Sequence, residues 1–141
     1  MAEKLRSIVV RLREYVGNRR RATRHRLRLP FSVSLYDPTL AGESLHRLPR
    51  LDGVTRDLST SGLALTLPAV RIGERYLTGT DVTLRIVLEH PTGPLELLAT
   101  PVRYEQLDEA ETDKGFLIGV RIKEMNAADR ARYESYLKQL H

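Results

Sequence analysis

The 141-residue sequence contains no cysteine and no tryptophan, and only two phenylalanines. Without cysteine, a disulfide scaffold, a thiolate zinc site and a cysteine nucleophile are excluded. The four histidines are scattered and lack the spacing of a metal site. No apolar run approaches the roughly 18–20 residues of a membrane-spanning helix, and charged residues interrupt the start of the chain where a signal peptide needs an apolar core. We therefore expect a cytoplasmic protein with no bound metal.

The positive charge is concentrated at one end of the chain. Residues 1–28 hold ten Lys/Arg against two Asp/Glu, a net of +8, whereas residues 29–141 hold thirteen against sixteen, a net of −3. A basic segment joined to an acidic body indicates a partner that carries phosphate groups.

Residues 1–17 form a first predicted unit, an amphipathic helix. Its apolar positions follow the i, i+3, i+4, i+7 spacing of one helix face, and Gly17 and Asn18 favour its end. These positions are Leu5, Ile8, Val9, Leu12 and Val16. The apolar face has three open roles: packing on the domain or on a second copy, docking to another protein, or lying on an anionic membrane. The membrane role lacks a Trp or Phe anchor.

Residues 18–141 predict a second unit, a mainly β domain. Apolar and polar residues alternate in four runs, at residues 31–35, 63–67, 82–88 and 116–122, as in half-buried strands. A fifth run, residues 95–104, contains Pro101, which indicates a bulge or an edge position. Roughly six strands at this spacing favour an antiparallel barrel or sandwich. A closing helix is predicted over residues 126–140, with Asn126 as its N-cap. Its apolar face consists of Tyr133, Tyr136, Leu137 and Leu140.

Two short motifs remain once the scaffold is assigned. Arg20 and Arg24 form an R-x-x-x-R pattern, preceded by Arg19, and Asp57-Leu58-Ser59-Thr60-Ser61-Gly62 reads D-x-S-x-x-G about 33 residues later. Each pattern alone is weak, because arginine-rich chains contain R-x-x-x-R by chance and Asp, Ser and Gly before a strand are typical of a turn.

Together and in this order, the two motifs resemble the PilZ domain family, whose members bind the bacterial second messenger cyclic di-GMP. The resemblance covers residues 18–140 and includes the stretch Ile118-Gly119-Val120-Arg121-Ile122. It implies a six-stranded antiparallel PilZ-type β-barrel with a C-terminal helix, a receptor that changes conformation on ligand binding, and an unidentified effector protein as partner. The implied binding residues are Arg19, Arg20, Arg24, Asp57, Ser59 and Gly62. Arginine at position 19 further implies a stacked pair of ligand molecules.

The chemistry of these residue types suits that ligand. The planar fork of arginine bonds phosphate oxygens or the O6 and N7 of guanine, and it stacks on bases. The carboxylate of Asp57 can accept from the N1–H and amino group of guanine. Ser59 offers a small hydroxyl, and Gly62 allows the backbone and ligand to approach closely. We expect ligand phosphates to neutralise the arginine-rich segment and thereby move the N-terminal helix.

Three alternatives stay open beside this reading. The first is nucleic-acid binding through residues Arg19 to Arg28 by counterion release, which the acidic body and the scarcity of aromatic residues disfavour. The second is an enzyme, which we do not expect: Ser59 has no identifiable histidine partner, and the acidic residues between 105 and 113 are typical of a solvated loop. The third is an interaction module that forms homo-oligomers through its terminal helices.

Overall fold

The computed structural model describes residues 25–39, 48–79, 81–107 and 115–140. This part of the chain forms nine strands and one helix. The strands are β1 (His25–Arg26), β2 (Pro30–Leu35), β3 (Leu51–Leu58), β4 (Gly62–Leu67), β5 (Arg71–Ile72), β6 (Arg75–Tyr76), β7 (Leu84–Leu88), β8 (Leu95–Gln106) and β9 (Phe116–Glu124), and the helix is α1 (Ala127–Gln139). The predicted N-terminal helix and the boundary at residue 17 lie outside the described residues.

Six of the strands close into an antiparallel barrel. The sheet runs β3-β2-β7-β8-β9-β4, and a further pairing of β4 with β3 closes it. Strand β1 pairs with the last two residues of β3, along the same edge of β3 as β2. Strands β5 and β6 form a separate hairpin. A mainly β, six-stranded antiparallel barrel with a C-terminal helix is the fold class that the sequence predicts, and it is confirmed.

The barrel core follows the alternating pattern of the sequence. In β4 the three leucines Leu63, Leu65 and Leu67 are at most 1% exposed, and β7 buries its alternate residues in the same way. Strands β4 and β9 also bury residues between these positions, among them Ala64 and Leu117. Strand β7 begins at Leu84, two residues after the start of the predicted run, although Val82 is also buried. Pairing of β8 with β9 shifts register between Pro101 and Arg103, which confirms the predicted bulge.

Strand β3 is present although no alternation in its sequence predicts it. Its register against β4 shifts between Thr55 and Asp57, so a bulge interrupts the period of two. At the bulge, the fully buried Thr55 binds the segment between β1 and β2. The Thr55 N–H donates to the Leu29 carbonyl at 2.9 Å, and its hydroxyl accepts from the Leu29 N–H at 2.8 Å and donates to the Leu27 carbonyl.

Helix α1 packs its apolar face on the barrel core, as predicted. The Asn126 side chain accepts from the Asp129 N–H at 2.8 Å, which confirms Asn126 as the N-cap. Tyr133 and Leu137 are 1% and 3% exposed. Tyr136 and Leu140 are partly buried against the same core. The helix thereby lies close to the turn between β3 and β4 and to the loop between β7 and β8.

Candidate ligand-binding site

Residues 57–62 form a tight turn between β3 and β4. The Ser59 N–H donates to the Gly62 carbonyl at 2.9 Å. The Ser59 hydroxyl accepts from the N–H groups of Gly62 and Ser61 at 3.2 and 3.3 Å. Because Ser59 is 0% exposed, its hydroxyl closes the turn in this structure. Its predicted contact with a ligand stays a prediction.

The backbone of Gly62 does not adopt the left-handed conformation that favours glycine. It is not among the glycines with positive φ in the described part of the chain, which are Gly73, Gly93 and Gly115. A larger residue at position 62 would therefore meet no backbone strain from a left-handed φ. The expected role of Gly62, close approach of the backbone to a ligand, stays a prediction.

Strand pairing brings the end of the arginine-rich segment to this turn. In β1, His25 lies opposite Leu58 and Arg26 lies opposite Asp57. Arg24 directly precedes His25 in the sequence, so the R-x-x-x-R motif ends one residue before the strand that pairs with the D-x-S-x-x-G segment. The three predicted arginines themselves, Arg19, Arg20 and Arg24, lie outside the described residues.

A row of four residues crosses the outer face of the barrel from Asp57. Asp57 lies opposite Ala64, Ala64 opposite Gly119, and Gly119 opposite Arg103. The neighbours of Ala64 and Gly119 along β4 and β9 belong to the main core, so this row lies on the other face of the sheet, where Ala64 is buried in a small cluster with Leu107 and Leu117. Adjacent strands are about 4.8 Å apart, so the row is roughly 14 Å long when it is measured along the curved sheet, halfway round the six-stranded barrel. A carboxylate and a guanidinium thus flank two residues without bulky side chains.

Two arginines that the sequence analysis did not assign to the site share this face. Arg121 lies opposite Gly62, is exposed, and forms no ion pair with any residue the structure describes. Arg103 donates from Nη1 to the Val102 carbonyl at 2.6 Å. Its buried Nε has no acceptor among residues 25–39, 48–79, 81–107 and 115–140. Both side chains therefore keep donors for an anion or a guanine edge.

Helix α1 holds the turn from the other side. The Tyr133 hydroxyl donates to the Ser59 carbonyl at 2.6 Å, and Arg130 Nη1 donates to the Thr60 carbonyl at 2.9 Å. From the sequence, Tyr133 is predicted only as part of the apolar face of the helix. No signal in the sequence could have found these contacts, because the paired residues are 74 and 70 positions apart.

A groove of about 390 Å³ lies elsewhere, between α1 and the outer face of β2, β7 and β8. It contains none of the predicted site residues. Its lining includes Arg85 and Glu96, which neutralise each other through hydrogen bonds of 2.8 and 3.2 Å. Across the described ranges, no group of three His, Asp or Glu side chains could hold a metal ion, and no helix is long and apolar enough to cross a membrane.

Comparison with known sequences matches the chain to one family. The model of the PilZ domain matches residues 18–139, which is most of the 141-residue chain. No curated protein matches it.

Solved structures share the fold at low sequence identity. The PilZ domain with c-di-GMP of YcgR from Escherichia coli is 16% identical, with a TM-score of 0.59, over 86% of this chain and 91% of that chain. The PilZ domain of CeSA from a cellulose synthesizing bacterium is 20% identical, with a TM-score of 0.52, over 82% and 98%. The Bacillus subtilis inhibitor of motility (MotI/DgrA) is 16% identical, with a TM-score of 0.55, over 84% of this chain and 48% of that chain. By the family match over residues 18–139, this chain belongs to the PilZ domain family.

Proposed function

We propose that this chain is a receptor for cyclic di-GMP that changes conformation on binding and thereby regulates an effector protein. The observation that carries the proposal is the pairing of β1 with β3, which sets Arg26 opposite Asp57 and so joins the two motif-bearing segments. Membership of the PilZ family supports the same ligand, as does the c-di-GMP named for the structure of YcgR. The chain acts by binding rather than by catalysis, in the cytoplasm.

The ligand has two phosphodiesters and two guanines, and the face beside the turn offers complementary groups. Asp57 accepts from the N1–H and amino group of one guanine. Arg20 and Arg24 bond phosphate and the O6 and N7 edge, since arginine suits both. Ala64 and Gly119, which continue the row from Asp57, have no bulky side chains, and Ala64 is itself buried against Leu107 and Leu117.

Arg121 extends this site beside the turn, because it lies opposite Gly62 on the neighbouring strand β9. Arg103 ends the row that begins at Asp57, on the far side of the barrel. A stacked pair of cyclic di-GMP molecules is the form of the ligand for which Arg19 is the motif residue.

Titration calorimetry with cyclic di-GMP tests the proposal. The wild type should bind saturably, and a large excess of long DNA should leave the binding unchanged. Asp57→Ala and Arg24→Ala should each weaken binding about ten- to hundredfold, because each removes a hydrogen bond to or from a charged group. Arg121→Ala should weaken it about fivefold to tenfold, as expected for a more exposed contact.

Arg75→Ala is the matched control, because Arg75 is an exposed arginine on the separate β5–β6 hairpin. It should bind as the wild type does. Absence of binding by the wild type would overturn the proposed function. Salt-steep binding to DNA of any sequence would instead favour a nucleic-acid-binding protein.

A further inference from the structure

Three successive carbonyl groups of the D-x-S-x-x-G turn are held by residues outside the turn. The Ser59 carbonyl accepts from the Tyr133 hydroxyl at 2.6 Å, and the Thr60 carbonyl accepts from Arg130 at 2.9 Å. The Ser61 carbonyl accepts from the Ile122 N–H at 2.9 Å. The orientation of these peptide groups is thus set by α1 and β9.

The two helix contacts come from one face of α1. Arg130 and Tyr133 are three residues apart, so their side chains lie next to each other along the helix. Tyr133 is 1% exposed and Ser59 is 0% exposed, so their hydrogen bond is sheltered from water. A buried carbonyl that loses its donor carries an unpaired acceptor, which makes this contact costly to break.

We propose that Tyr133 and Arg130 are positioning residues for the ligand turn, and that ligand binding is coupled through them to the docking of the C-terminal helix. The proposal rests on the proposed function, because it assigns the turn to the cyclic di-GMP site. Tyr133 and Arg130 touch the backbone of the turn, whereas Asp57 and Gly62 flank it as ligand residues. A turn that is already held in its binding geometry loses less conformational entropy when the ligand binds.

Coupling of this kind is reciprocal. If helix docking strengthens ligand binding by some factor, ligand binding strengthens helix docking by the same factor. The occupied site should therefore protect the amides of α1, although α1 need not touch the ligand. The helix becomes the element through which occupancy of the site reaches the loop of residues 90–94, which Arg132 and Tyr136 contact.

Tyr133→Phe tests the coupling because it removes the hydroxyl and keeps the ring. Tyr136→Phe is its control: the same change, three residues further along the same helix, at a tyrosine whose ring packs on His90. We expect Tyr133→Phe to weaken cyclic di-GMP binding about fivefold or more, and Tyr136→Phe to leave it unchanged within about twofold. Arg130→Gln, a second variant, should weaken binding about twofold to threefold.

Amide hydrogen exchange separates positioning from a purely structural role. In the wild type, saturating cyclic di-GMP should slow exchange across residues 130–137, and in Tyr133→Phe this gain should be lost. If Tyr133→Phe lowers the free energy of unfolding but binds the ligand as the wild type does, the hydroxyl is only structural and the coupling is refuted. If the wild type itself fails to bind, the proposed function falls, which is a distinguishable result.

Discussion

Two of the attachments of helix α1 to the barrel differ in character. At the turn between β3 and β4, the buried Tyr133 hydroxyl and the Arg130 guanidinium each donate a long-range hydrogen bond to a carbonyl. At the loop of residues 90–94, Arg132 alone donates to the Thr92 hydroxyl at 3.1 Å, to the Pro94 carbonyl at 2.9 Å and to Asp129 at 2.7 Å.

The difference lies in exposure to water. Arg132 is about one third exposed, at 36%. The Tyr133 hydroxyl donates to the Ser59 carbonyl in a dry environment. A buried hydrogen bond is costly to lose because its acceptor stays unpaired, whereas exposed contacts are exchanged for water at little cost. Under the proposed coupling, the helix responds to a ligand at the turn and stays attached at the loop.

Leu137→Ala should have the largest effect, because it weakens both attachments together. Leu137 is 3% exposed and lies in the barrel core one helical turn after Tyr133. Truncating a buried leucine costs about 2–5 kcal/mol, from lost burial and the cavity left behind. Urea unfolding measures the loss.

Ser135→Ala, an exposed position of the same helix, is its control and should change the free energy of unfolding by less than about 0.5 kcal/mol. Equal effects of the two variants would mean that α1 does not pack on the core.

Arg132→Ala should come next and should affect only the loop. It removes the hydrogen bonds to residues 92–94 and the ion pair with Asp129, at a cost of about 1–2 kcal/mol, reduced by solvent screening at this exposure. Cyclic di-GMP affinity should stay within about twofold of the wild type, in contrast to Tyr133→Phe. Arg132→Lys retains the charge without the fork and should recover little of the loss. A large loss of ligand affinity in Arg132→Ala would erase the distinction between the two attachments.

The barrel was largely predictable because apolar residues recur at every second position in most of its strands. The burial of β7 alternates with this period, whereas β4 and β9 keep the period in their sequence although they bury consecutive residues, and Pro101 marks the bulge in β8. Strand β3 was missed because its own bulge at Thr55 breaks the alternation. The β5–β6 hairpin was missed because two-residue strands have no period to detect.

The site was predictable only as far as local motifs reach. Asp57, Ser59 and Gly62 lie within one turn, so a single stretch of sequence contains them. Arg121 joins the same face through the register of β4 against β9, and this register depends on the closure of the barrel. Tyr133 reaches Ser59 across 74 residues. Such contacts are products of topology, and a tyrosine on an apolar helix face gives no sign of where its hydroxyl points.

The smallest predicted effect is a pH dependence confined to the loop attachment. His90 is 8% exposed and its ring meets Tyr136 edge-to-face, with centroids 4.2 Å apart. Its Nδ1 accepts from the Thr92 N–H at 3.1 Å. Burial lowers the pKa of His90 below its ordinary value of 6.5, and the nearby Arg132 guanidinium lowers it further. The ion pair between Arg132 and Asp129 lowers the pKa of Asp129, so this carboxylate stays ionised throughout the same range.

The sign of the effect follows from which state binds the proton. As the pH falls through about 6.5, the unfolded chain protonates His90 at a higher pH than the folded chain does, so the free energy of unfolding decreases towards acid pH and is fully retained above 6.5. Urea unfolding at pH 7.5 and pH 5.5 should show a larger loss in the wild type than in His90→Asn, a variant that offers an acceptor to Thr92 without titrating. The other histidines contribute equally to both proteins and cancel. Identical pH dependence in the wild type and His90→Asn would rule out His90 as the titrating group. A fall in ligand affinity over the same pH range would mean that protonation of His90 also affects the turn, and not only the loop.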